Sequence, residues 1–138
     1  MRIRAHHLLC IPRFKGGGYD KKIRKKMFLV QKKIIKNSKL KVRLVKKCDY
    51  ICLSCPFFNK NKCRKRKNIE YWINIQENKI VKRLKIRYNQ NFLAKNIFML
   101  SINEIKNKEL KNICRGCEYL KYCLKHGINK SFIKKLKS

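Results

Sequence analysis

Cys48-Asp49-Tyr50-Ile51-Cys52-Leu53-Ser54-Cys55-Pro56, with Cys63 to follow, is a Cys-x3-Cys-x2-Cys-x7-Cys run, and its reading decides the kind of fold. Gaps of two or three residues let successive sulfurs turn toward one centre while neighbouring amides hydrogen-bond to them. A second group, Cys114-x2-Cys117-x5-Cys123, repeats the pattern, and Cys10 stands apart beside His6 and His7. Eight cysteines so spaced in 138 residues predict one small, cysteine-rich metal-binding domain, mainly α with a short strand or hairpin, spanning 1–138.

Cys48, Cys52, Cys55 and Cys63 are enough for a closed four-thiolate site, and Pro56 after Cys55 echoes the Cys-Pro ending of bacterial ferredoxin runs. Cys48-x3-Cys52-x2-Cys55 also matches the three-cysteine signature of radical S-adenosylmethionine enzymes, but a full eight-stranded barrel takes about 250 residues. Cys114, Cys117 and Cys123 need a fourth ligand, for which Cys10 leads and His6, His7 and His126 are the alternatives. A rival partition joins the hooks Cys52/Cys55 and Cys114/Cys117 in one tetrahedral zinc site. The excess of thiols over one such site favours iron and sulfur: one or two iron-sulfur clusters of the 4Fe-4S type, with zinc as the alternative cofactor.

His6, His7 and Cys10 are also the candidate catalytic residues. On a helix either imidazole can lie near the sulfur, and an imidazolium there would lower the thiol pKa. The seven acids are scattered without an obvious pair; Asp49 stands out because it lies inside the first cysteine group.

The charge balance is 39 Lys+Arg against 7 Asp+Glu, a formal +32, and 44% of residues are hydrophobic. The apolar content excludes a disordered polybasic tail. The charge predicts salt-sensitive, non-specific attraction to nucleic acid. Yet Lys, Ile and Asn are spread along the whole chain, as a shifted codon usage would also spread them. No segment reaches the ~20 apolar residues of a membrane span, and no signal peptide opens the chain, which predicts a cytoplasmic protein without a membrane partner. In that reducing compartment clustered cysteines are ligands or redox groups rather than disulfides.

A short helix is expected over Ala5 to Ile11, ending before Pro12 and carrying His6, His7 and Cys10 on one side. Gly16-Gly17-Gly18 reads as a chain reversal; the helix N-terminus beyond it could bind an anion, but no Walker Lys-Ser/Thr pair follows. Asp20 can cap a helix over Lys21 to Lys36 with Ile23, Met27, Val30 and Ile34 on its apolar period. Leu40 to Val45 alternates as a strand. A helix from Asn68 to Ile86 is expected to bury Ile69, Trp72, Ile73, Ile80 and Leu84. Ser101-Ile102-Asn103-Glu104 has the form of a capping box opening a further helix.

Arg4-Ala5-His6-His7-Leu8-Leu9-Cys10, Gly16-Gly17-Gly18-Tyr19, Cys48-Asp49-Tyr50-Ile51-Cys52 and Cys114-Arg115-Gly116-Cys117, with Cys123, occur in an order that resembles the domain-of-unknown-function family 1284. The resemblance implies an iron-sulfur cluster and no particular reaction. Its pattern falls on His6, His7, Cys10, Gly16, Gly18, Tyr19, Asp49, Cys52, Cys63, Cys114, Cys117 and Cys123. Gly17 stands where that family often has lysine, and Cys48 and Cys55 are optional in it, so a single cluster of Cys114, Cys117, Cys123 and one of Cys52 or Cys63 also fits. The leading functional expectation is a cytoplasmic iron-sulfur protein with a redox or electron-transfer role and a redox partner protein. The alternatives are a zinc-stabilised, basic nucleic-acid-binding module and an enzyme using Cys10 with a histidine for sulfur chemistry.

Overall fold

Asp20 fixes the start of the longest well-framed helix: its Oδ1 accepts the amides of Lys22 and Ile23 at 3.0 and 3.3 Å, which satisfies two of the donors a helix leaves free. Helix α2 runs Lys21–Lys36, as expected, and buries Met27, Val30, Gln31 and Ile34. Because Asp20 fills that N-terminus, the glycine segment acts as a turn. Gly16 and Gly18 take φ of +101° and +85°, a region that favours glycine.

The computed structural model describes residues 1–56, 58, 59, 62, 63 and 67–138. Around α2 lie α1 (His7–Cys10), α3 (Ile69–Leu84), α4 (Ala94–Glu104), α5 (Asn107–Ile113), α6 (Leu120–His126) and α7 (Lys130–Lys137). A three-stranded sheet sets β2 (Lys41–Val45) between β1 (Arg2–Arg4), parallel to it, and β5 (Asn91–Leu93), antiparallel. A two-stranded ribbon, β3 (Phe58–Asn59) with β4 (Lys62–Cys63), carries the last cysteine of the first group. The fold is mainly helical around one core, in which Ile3, Leu8, Ile11, Val30, Ile80 and Phe98 are fully buried.

The first helix ends before Pro12, at Cys10, and the chain passes on into a 3₁₀ turn over Ile11–Arg13; proline is tolerated at the start of such a turn, where its missing N–H is no loss. Two local expectations are corrected. Trp72 is 53% exposed, because α3 presents Ile80, Leu84 and the polar Glu77 to the interior and Trp72 is a full 100° step off the row of Ile73 and Glu77. Ser101 opens no helix. It lies near the end of α4 and its hydroxyl donates to Leu8 O at 2.9 Å. The next helix begins instead at Asn107, where the Glu109 carboxylate accepts the Lys106 amide at 3.1 Å.

Candidate metal centre

All eight cysteines are free thiols, and seven of them fall in two neighbourhoods, each built beside a buried arginine; Cys55 shares Tyr119 as an electrostatic neighbour with Cys117 and Cys10. The first lies beneath β1. Arg4 is wholly buried, and its guanidinium meets Glu77 at 3.1 Å and Glu70 at 3.2 Å. Glu70 and Glu77 are seven residues apart on α3, two helical turns on one face. Burial works against the Arg4 charge, but Glu77 and then Glu70 outweigh it and raise its pKa. The same guanidinium points Nη1 at Cys48 Sγ, 3.9 Å away, while Glu70 Oε1 accepts the Cys63 amide at 2.9 Å. The arginine thus ties together two cysteines that are fifteen residues apart. The acids that looked scattered in sequence are paired here.

Asp49 governs the turn between Cys48 and Cys52. Its Oδ1 accepts the amides of Ile51 and Cys52 at 2.9 and 3.1 Å; its Oδ2 accepts the Arg4 amide at 2.7 Å and lies 2.5 Å from His7 Nδ1. Burial alone would raise this carboxyl, but the charge and hydrogen bond of His7 and the backbone amides hold it well below the usual carboxylate range. His7, Asp49 and Cys52 bring three ligand atoms within 4.8 Å of one another, which, with the eight cysteines, is compatible with metal binding. However, four contacts use up the lone-pair positions of a carboxylate. Asp49 is therefore an orienting group: ionised, it takes the Nδ1–H of His7 and leaves Nε2 as the basic nitrogen, as carboxylates do behind ligating histidines. His6 is held in the same way, with Nδ1 at 3.0 Å from Glu77 Oε2. Burial lowers its pKa, so the ring is neutral near pH 7.

The second neighbourhood joins Cys10 to the C-terminal group. Cys114 follows α5, its amide closing on Leu110 O at 2.8 Å, and the Cys117 amide turns back to Cys114 O at 2.9 Å. Cys123 sits on α6. Burial raises the Cys10 thiol well above its ordinary value, and Cys123, Cys117 and Cys114 push in the same direction; a hydrogen bond from Tyr19 opposes them. Cys114 is pushed up to about 12 by burial and then by Cys117, with Gln76 Nε2 donating to its sulfur at 3.5 Å. The electrostatic neighbours of Cys10 are thus the three C-terminal cysteines. His6 and His7 are turned instead to Glu77 and Asp49, and the thiol pKa moves opposite to that of an imidazolium-activated nucleophile. His126 packs tilted against Tyr122, ring centroids 4.4 Å apart.

Arg13 completes this neighbourhood, and sequence reading did not single it out. Its side chain is 2% exposed; Nη1 and Nη2 donate to Leu9 O and Ile105 O, both at 2.9 Å, and Nε is buried without a hydrogen-bond partner. Among the described residues no carboxylate pairs with it. Burial disfavours its charge, and Cys10, Cys123 and Cys114 are the groups that support it.

Gly17 packs under Tyr122: a Cβ there would lie 3.2 Å from the Tyr122 hydroxyl, so a side chain at this position requires the ring to shift. No described helix is long and apolar enough to cross a membrane. Neither a curated protein nor a solved structure matches the chain. The family match starts at residue 18, after His6, His7 and Cys10, and takes in Tyr19, Asp49 and the remaining seven cysteines. Since residues 18–123, well over half of the chain, match the family described as Protein of unknown function (DUF1284), the chain belongs to that family.

Proposed function

We propose that this is a cytoplasmic iron-sulfur protein with an electron-transfer role, in which Cys10, Cys114, Cys117 and Cys123 hold one 4Fe-4S cluster. The single observation that carries the reading is Arg13: a buried cation that no carboxylate among the described residues pairs with, and that is supported by cysteines. Four protonated thiols would leave it uncompensated, at a cost of several kcal/mol. Four thiolates around a centre with a net charge of about −2 compensate it. Such a cluster, when bound, supplies reversible one-electron transfer.

Spacing supports this reading over zinc. Among the described residues His7, Asp49 and Cys52 form the one set of three ligand atoms within 4.8 Å of one another. The four sulfurs near Arg13 are therefore more widely spread than the ~3.8 Å edge of a tetrahedron with Zn–S bonds of about 2.3 Å. A polynuclear centre suits that spread. Cys48, Cys52 and Cys63 of the first group supply a second set of thiols. There Asp49 shapes the loop, and Arg4 lies against Cys48 with its charge already balanced by Glu70 and Glu77.

Purification without oxygen, followed by iron, zinc and acid-labile sulfide assays and a visible spectrum, tests the proposal. The expected protein is brown, contains iron and sulfide in equal amounts, and bleaches with dithionite. Colourless protein with stoichiometric zinc and no sulfide would overturn it in favour of a structural zinc module.

A further inference from the structure

Helices α2 and α7 leave between them an open hollow of about 630 Å³ whose floor is Phe28, Leu29, Ile35 and Phe132. Lys25, Lys32 and Lys135 stand on its rim, and no acidic residue lines it. A second hollow of about 400 Å³ shares Leu29 and Lys32 with the first and extends it along α2 past Lys33 and Lys36 to Leu40. Phe28 and Leu29 are 51% and 49% exposed. An apolar floor with a rim of one sign is the anatomy of a protein interface: the apolar centre supplies contact and the rim selects a partner of opposite charge. A phosphate backbone would use the lysines and leave the phenylalanines and leucines unused.

A chain of rings leads inward from this floor. Phe28 packs edge-on against Phe14 with centroids 4.8 Å apart, Phe14 lies 5.8 Å from Tyr19, and Tyr19 lies 4.3 Å from Tyr119. Tyr19 is an electrostatic neighbour of the Cys10 thiol. The groove and the thiols near Arg13 are therefore joined by continuous side-chain packing, and no other exposed apolar surface described above has such a connection.

We infer that the groove between α2 and α7 docks an acidic electron-carrier protein, its apolar contact residues seated on Phe28 and Leu29 within a ring of lysines. This rests on the iron-sulfur reading for its electron-transfer part alone: one electron leaves the reduced carrier, which is oxidised, and reduces the thiolate-held centre. Docking itself needs only the groove.

The probe is a reduced, acidic plant-type ferredoxin, and two readouts are taken on the full chain: its binding by calorimetry at low salt, and its oxidation by stopped flow. Reversing the rim with Lys25→Glu, Lys32→Glu and Lys135→Glu should weaken binding at least tenfold. The same charge change placed elsewhere, with Lys79→Glu, Lys82→Glu and Lys108→Glu, should weaken it less than threefold. Phe28→Ser with Leu29→Ser should weaken it by about tenfold while far-ultraviolet circular dichroism and metal content stay unchanged. Equal losses from the two charge reversals, or an unchanged affinity in the Phe28/Leu29 variant, would overturn the docking site and leave a diffuse polyanion surface. If the protein proves colourless and free of sulfide but the binding pattern holds, the groove stands and the electron-transfer reading falls. If iron and sulfide are present and dithionite reduces every variant equally while the groove variants still bind, the groove is wrong and the cluster reading stands.

Discussion

Arg4 and Arg13 are both buried guanidiniums beside cysteines, but they are neutralised in different ways. Arg4 is surrounded by Glu70 and Glu77, 3.2 and 3.1 Å away; Arg13 has two backbone carbonyls and the thiols of Cys10, Cys123 and Cys114. The first neighbourhood is electrostatically complete as a protein, so its cysteines add ligands to a frame that stands without them. The second is complete only when its sulfurs are ionised. On the proposed reading, the charge that a thiolate-held centre would balance sits at Arg13, while the larger number of hydrogen bonds sits at Arg4.

The largest expected effect breaks the complete side. Glu77→Gln removes the fully buried counter-charge of Arg4 and the negative charge beside His6 Nδ1, and should cost about 3–5 kcal/mol by urea unfolding, whether or not metal is bound. Arg13→Met comes next and should change sign with loading. In metal-free protein it removes an unpaired buried cation and should be neutral or stabilising by roughly 1–4 kcal/mol. In loaded protein it removes the counter-charge of the thiolates and should speed the loss of metal to a chelator. A destabilising effect of similar size in both forms would show that Arg13 is merely packing.

Acid titration sharpens the same contrast. His6, ordinarily near 6.5, is lowered by burial. Glu77 and Glu70, ordinarily near 4.5, are lowered although burial opposes it: the His6 hydrogen bond and Arg4 hold Glu77 down, and Arg4 with the Cys63 amide holds Glu70 down. Each of these groups binds its proton more tightly in the unfolded chain, so stability should fall with pH, first below about 6.5 and then more steeply below about 4.5. In Glu77→Gln the steep lower part should be shallower, as read from melting temperatures between pH 3 and 8. The smallest effect is local. Asn129 caps α7 by accepting the Phe132 amide at 3.1 Å and donates to Phe14 O at 2.9 Å, and Asn129→Ala should cost about 1–2 kcal/mol.

What could be read in the sequence was local. The limits of α2 were legible because Asp20 and the spacing of Met27, Val30 and Ile34 are one-dimensional signals. The turn around Asp49 was partly legible, since an acid between two close cysteines stands out. Strands β1 and β5, three residues each, are too short to show a period, and nothing in the sequence around Arg4 marks it as buried. The carboxylates meeting Arg4 and His6 come from 66 to 73 residues away, a pairing that spacing cannot reveal. Two turns between Glu70 and Glu77 was the available hint. Helical spacing groups Cys10 with the histidines and ligand count groups it with the C-terminal trio; Glu77 and Asp49 turn the imidazoles to themselves, and Cys10 has the trio as its electrostatic neighbours.

The most direct test of the account is differential alkylation of the metal-loaded protein with iodoacetamide, read residue by residue by mass spectrometry. Cys10, Cys114, Cys117 and Cys123 should be protected together and should become reactive together, at matching metal loss, when a chelator is added. Rapid alkylation of Cys10 while the other three stay protected and the metal stays bound would contradict it.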